Sequence, residues 1–127
     1  MERRNRAHHT VLRALADRAE AAKEKCVCTQ YADALCDECI FEVKSIEDHD
    51  EVAQVRAAVG QLYHYLFIHR DLPGFRDAEL FAVFDRPISP GLQVFLSDRA
   101  LIGVIIFADG RFHSDERTTV RLPWLFH

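Results

Sequence analysis

No run of apolar residues in this chain of 127 amino acids approaches the ~18 needed to cross a bilayer; the longest, Leu101 to Ala108, has the length of a strand. The first residues carry charge but no apolar stretch of the kind that opens a secretory signal, so a cytoplasmic protein with reduced thiols and no membrane contact is the expectation. Bulk positive charge is missing too. Sixteen basic residues stand against 20 acidic ones, for a formal net charge of −4, which argues against nucleic-acid binding driven by charge alone. No internal repeat, low-complexity segment, helix-turn-helix or zinc-finger pattern is present, and the seven histidines show no metal-ligand spacing.

What is there reads as one folded domain over residues 1–127, with 1–7 and 112–127 as extensions; 49% hydrophobic and 28% charged residues suit a globular core. Residues 1–18 hold five arginines against two acids, read as a solvated helix face rather than a phosphate contact. Val11, Leu12, Leu15, Ala19 and Ala22 make a helical stripe over 8–24, with Glu20 at its edge. Residues 25–31 read as a strand, and 46–50 as an acidic loop. The best helix runs over 51–69. Its stripe of Val52, Val55, Val59, Leu62 and Leu66 lies beside a second one that carries Gln61 and Tyr65, and the shortage of charge predicts a helix buried on most sides or at an interface. A strand over 79–84, a short helix opened by Ser89-Pro90 and the apolar run 101–107 predict a βαβ unit with parallel strands, with Leu92, Phe95 and Leu96 turned inward. Asp109-Gly110 reads as a turn. Thr118, Val120 and Leu122 read as an edge strand, and 123–126 as a sticky tail that needs a groove or a partner.

The chemistry concentrates in 33–44. This stretch reads as a hairpin turning at Asp37-Glu38, with its second strand over 39–44. Side chains alternate along a strand, so Glu42 and Lys44 share a face, and Asp33 on the partner strand reaches the same side. Charge on so apolar a strand is costly unless paired or bound to a cation. Two carboxylates with no clustered histidine suit a hard ion such as Mg²⁺ or Mn²⁺, and the main-chain carbonyl of Val43 adds a ligand. Lys44 would then hold its ammonium near a bound water or a scissile phosphate. The plainer alternative is a structural ion pair across a hairpin.

The order helix, strand, Asp33, hairpin, Glu42-Val43-Lys44, helix, strand, helix, strand resembles the PD-(D/E)XK nuclease superfamily. Gln61 and Tyr65 resemble the Gln-x-x-x-Tyr helix of its RecB and lambda-exonuclease-like branch. The resemblance spans about residues 10–110. It implies a restriction-endonuclease-like α/β fold, αβββαβ with a mixed central sheet flanked by helices and a C-terminal βαβ unit. It also implies a Mg²⁺-dependent deoxyribonuclease with Asp33 and Glu42 on the metal, Lys44 assisting the attacking water, Gln61 and Tyr65 lining the site, and Glu20 as the acid of the first helix. Ala32 stands where the family has proline, and the segment before Asp33 is short for its opening hairpin. A homodimer or larger nuclease complex is compatible with this reading. The alternative is a catalytically inactive module of the same fold that serves as a structural or nucleic-acid-binding subunit.

Cys26, Cys28, Cys36 and Cys39 fall within 14 residues. Zn²⁺ or an iron–sulfur cluster is the lesser reading, small core fillers the greater, and a disulfide is disfavoured in a reducing compartment.

Overall fold

The structure, a computed structural model, describes residues 3–28, 32–46 and 50–126. A six-stranded mixed sheet in the order β1-β2-β3-β4-β5-β6 separates two helical layers. Strands β1 (Cys26–Val27), β2 (Ala34–Cys36) and β3 (Cys39–Lys44) pair antiparallel in turn. Strands β4 (Glu79–Phe84) and β5 (Ile102–Ala108) continue parallel to β3, and β6 (Arg111–His113) closes the sheet antiparallel to β5. The predicted parallel pair is therefore present, with Leu80 opposite Ile102. Both two-residue hairpin turns, Asp37-Glu38 and Asp109-Gly110, have positive φ at both positions, as the twist of flanking strands demands.

Alternation along β3 divides the core in two. Ile40 joins α2 (Glu51–Ile68) and the α3 segment on one face; Cys39, Phe41 and Val43 join α1 (Arg3–Ala21) and the C-terminal helices on the other. The first helix starts earlier than its stripe suggested and stops in a Schellman motif. Glu24 N–H bonds to Ala19 O and Lys23 N–H to Glu20 O, with Lys23 at φ 61°. Of the strand expected over 25–31 only Cys26–Val27 is found, and 29–31 lie outside the described residues, as do 47–49 of the acidic loop.

Helix α2 starts at Asp50, whose carboxylate accepts from Val52 and Ala53 N–H. It is not buried on most sides. Val55, Ala58 and Leu62 are enclosed, while Val52, Tyr63 and Phe67 are exposed. Helix α3 (Pro90–Val94) passes into a π-helical turn over Phe95–Arg99, in which Leu96 is buried and Phe95, expected inside, is exposed.

The C-terminal stretch departs most from expectation. Residues 116–121 form helix α4 (Glu116–Arg121), not an edge strand, because Asp115 caps it by accepting from Thr118 N–H at 2.8 Å. The alternation of Thr118, Val120 and Leu122 suggested a strand; the cap outweighs that pattern. Residues 123–126 form α5 (Pro123–Phe126), which seats itself on this chain: Leu122 and Leu125 are core residues, and Trp124 Nε1 donates to Asp37 Oδ2. Residues 112–126 thus supply part of the core rather than hanging beyond it.

Gly103 on β5 tests how tightly this layer is packed. A methyl group there would sit 2.5 Å from ring carbons of Phe81, which is buried and stacks on Phe41. Gly103→Ala should lower stability by about 1–3 kcal/mol through overpacking. An unchanged urea midpoint would show that the ring has somewhere to go.

Candidate active site at the end of the hairpin

Asp33 stands just before β2, where the sheet edge gives way between the two helical layers. Its Oδ2 accepts from Val43 N–H at 2.7 Å. Cys36 and Cys39 flank a two-residue turn, so main-chain groups of Cys39, Phe41 and Val43 all face β2. The Val43 carbonyl consequently points to the same side as its N–H. The other oxygen, Oδ1, lies 3.0 Å from His8 Nε2 on α1. An ionised carboxylate only accepts, so the ring donates.

On the α2 side of β3, Glu42 and Lys44 come together as alternation requires, with Lys44 Nζ 3.3 Å from Glu42 Oε2. Glu42 is also within hydrogen-bonding reach of Asp33. The three predicted charges therefore converge. Side-chain exposures of 17% for Asp33, 7% for Glu42 and 15% for Lys44 leave a partly open, mostly desolvated site.

The two carboxylates differ in electrostatics. Burial, then the neighbouring Asp33 charge, pushes Glu42 up to about 8, with Lys44 opposing. Burial acts upward on Asp33 as well, but the His8 hydrogen bond and the Val43 amide outweigh it and hold Asp33 below the ordinary carboxylate range. His8 is raised, chiefly by its bond to Asp33. Without a cation the pair thus favours one charge and one proton, as adjacent carboxylates do.

Helix α2 completes the surroundings. Burial and the fields of Glu42 and Asp33 lift the Tyr65 hydroxyl to about 12, so it stays a donor at neutral pH. One turn earlier, Gln61 Oε1 is buried with no hydrogen-bond partner. A buried acceptor left unmet is expensive and points to a group that would meet it.

Glu20 does not take part. It is exposed on α1, twelve residues beyond His8 and so about 18 Å further along the axis. The residue that α1 does send to the site is His8, which spacing alone did not single out. The signal was the helical stripe of Val11 and Leu15, which sets His8 one turn before Val11 near the buried face. Asp85, after β4, was also missed. It accepts from Ser45 Oγ at 2.6 Å and Ile46 N–H at 2.8 Å and so fixes the chain just beyond Lys44.

Among the described residues no group of three or more His, Cys, Asp or Glu side chains is gathered as a metal site, the four cysteines included. Cys28 is exposed, and Cys39 is engaged with Asp37 O and Arg121. The donor set at Asp33 and Glu42 nevertheless fits a hard divalent ion, which takes one or two carboxylates and completes its shell with water and substrate oxygens. Cavities of about 430 and 470 Å³ lie elsewhere, one lined by Tyr63, Leu101 and Arg117 and the other by Asp17, Arg18 and Arg111. Among the described residues no helix is long and apolar enough to cross a membrane. Comparison with protein-family models, with curated proteins and with solved structures finds no match.

Proposed function

We propose that this chain is a Mg²⁺- or Mn²⁺-dependent nuclease acting on DNA in the cytoplasm, with a restriction-endonuclease-like core of the PD-(D/E)XK type. The observation that carries the reading is the convergence of Asp33, Glu42 and Lys44 at one strand end, within the electrostatic reach of Tyr65 on α2. The element order α1-β1-β2-β3-α2-β4 supports it. Asp33, Glu42 and the Val43 carbonyl would hold the ion, which when bound activates water and offsets charge on the phosphate. His8 and the Val43 amide fix the Asp33 carboxylate. Lys44 presents its ammonium to the attacking water or the phosphate oxygens, where developing negative charge gains most from a desolvated donor. Tyr65 donates, and Gln61 accepts, from groups entering between α2 and the sheet.

One observation favours the second reading, an inactive module of this fold: Glu42 and Lys44 already satisfy each other across 3.3 Å in a nearly buried pair. The two separate on one experiment. Wild-type protein with supercoiled DNA and Mg²⁺ should nick it, chelation should stop the nicking, and calorimetry should show a Mg²⁺ heat that Asp33→Asn abolishes. Equal nicking by both proteins, or no Mg²⁺ heat from the wild type, removes the nuclease assignment.

A further inference from the structure

Cys26 and Cys36 are direct partners across the antiparallel β1–β2 pair, and Cys36 is in turn the partner of Cys39. Because Cys36 and Cys39 flank a two-residue turn, their main-chain groups bond to each other. Cys36 therefore turns no main-chain group toward β1, and Cys26–Cys36 is a non-hydrogen-bonded pair. In such pairs the Cα atoms are about 4.5 Å apart, inside the roughly 4.4–6.8 Å that a disulfide spans. The two thiols are already within hydrogen-bonding reach of each other. Their surroundings are unequal. Cys26 is half-buried on a two-residue edge strand, while Cys36 is enclosed. Cys39 lies on the same face, but its sulfur is already engaged, donating to Asp37 O and accepting from Arg121 at 3.3 Å each.

We infer that Cys26 and Cys36 are a redox-active pair that closes reversibly into a cross-strand disulfide. The accessible Cys26 attacks as thiolate on one sulfur of a low-molecular-weight disulfide, forming a mixed disulfide and releasing one small thiol. Cys36 gives up its proton, attacks the Cys26 sulfur and expels the second small thiol. Two protein thiols lose two protons and two electrons, and the small disulfide is reduced to two thiols. The hydrogen bond that the Cys36 thiol donates to Cys26, with burial, raises Cys36 and lowers Cys26, which leaves Cys26 as the attacking partner. The bond ties β1 to β2 and encloses Asp33 within the closed loop. In a reducing compartment such bonds are transient and redox-responsive rather than structural.

The test uses the full chain, reduced and then exposed to oxidised glutathione, quenched by alkylation and mapped by mass spectrometry. Expected are the loss of two hydrogens, two alkylatable thiols in place of four, a cross-link joining the Cys26 and Cys36 peptides, and a melting temperature about 5–10 °C higher from the shortened unfolded chain. Cys26→Ser, at an edge position that tolerates it, should fold and form no cross-link, while Cys28→Ser should form it at the wild-type rate. A bond that maps to Cys28 or Cys39, a glutathione adduct on Cys26 that goes no further, or cross-linking only between molecules overturns the inference. A chain that forms the bond yet binds no Mg²⁺ keeps it and loses only the nuclease assignment.

Discussion

Lys44→Met should cut DNA cleavage by about 10²–10⁴-fold and leave Mg²⁺ binding intact. The substitution keeps the buried stem and removes the ammonium, so packing around the end of β3 is preserved. What disappears is a cation 3.3 Å from Glu42, in a site where little water remains to replace it. A positioned proton donor or charge of this kind is worth that range in rate. Folding should survive, because Glu42 without its partner takes up a proton rather than staying as an isolated buried charge. Single-turnover cleavage and calorimetry on the same preparation check both halves. Cleavage within threefold of wild type would take Lys44 out of the chemistry, and loss of Mg²⁺ heat would make it a support for the carboxylates instead.

The second large effect is on stability against pH in metal-free buffer. Glu42 is held at about 8 in the folded chain against a reference near 4.3 when unfolded. Between these values the folded state binds more protons than the unfolded one, so stability falls as pH rises and the contribution is gone above pH ~8. This is the reverse of the usual carboxylate. His8, also raised, acts in the same direction from about pH 6.5 upward; Asp33, lowered, acts oppositely and only at acid pH, below about 4. Urea unfolding should therefore show wild-type stability dropping by on the order of 2–4 kcal/mol from pH 5 to 8.5. Glu42→Gln should flatten most of the drop and be the more stable protein at pH 8.5. Parallel curves for the two proteins would mean that Glu42 ionises normally. Mg²⁺ should rescue the wild type at pH 8.5 and leave Glu42→Gln little changed.

The hairpin was legible because alternation is a strict code. Once 39–44 is a strand, Glu42 and Lys44 must share a face, and 3.3 Å follows. The parallel β4–β5 pair was legible from two apolar runs around a capped helix. His8 was not, since its role depends on how α1 lies against the sheet, and no local pattern encodes that docking. Glu20, implied only by the family resemblance, lies about three turns further along α1, exposed and away from the phase that carries His8, Val11 and Leu15. The C-terminal helices were misread for a related reason: Thr118 to Leu122 has strand alternation, and only the Asp115 cap, a single side chain, reverses it.

Arg121 spreads its guanidinium over Asp37 Oδ2 and O, Cys39 Sγ and Glu79, fastening the β2–β3 turn from 84 residues away. Contacts of such separation form late, because a long loop must be closed before they return anything. On the ribosome, the hairpin bearing Glu42 and Lys44 can pair as soon as it emerges, yet its far end stays loose until Arg121 follows. A nascent chain paused before that point would carry the two strands without the fork that holds their turn, so the order of the turn depends on a helix made long after it.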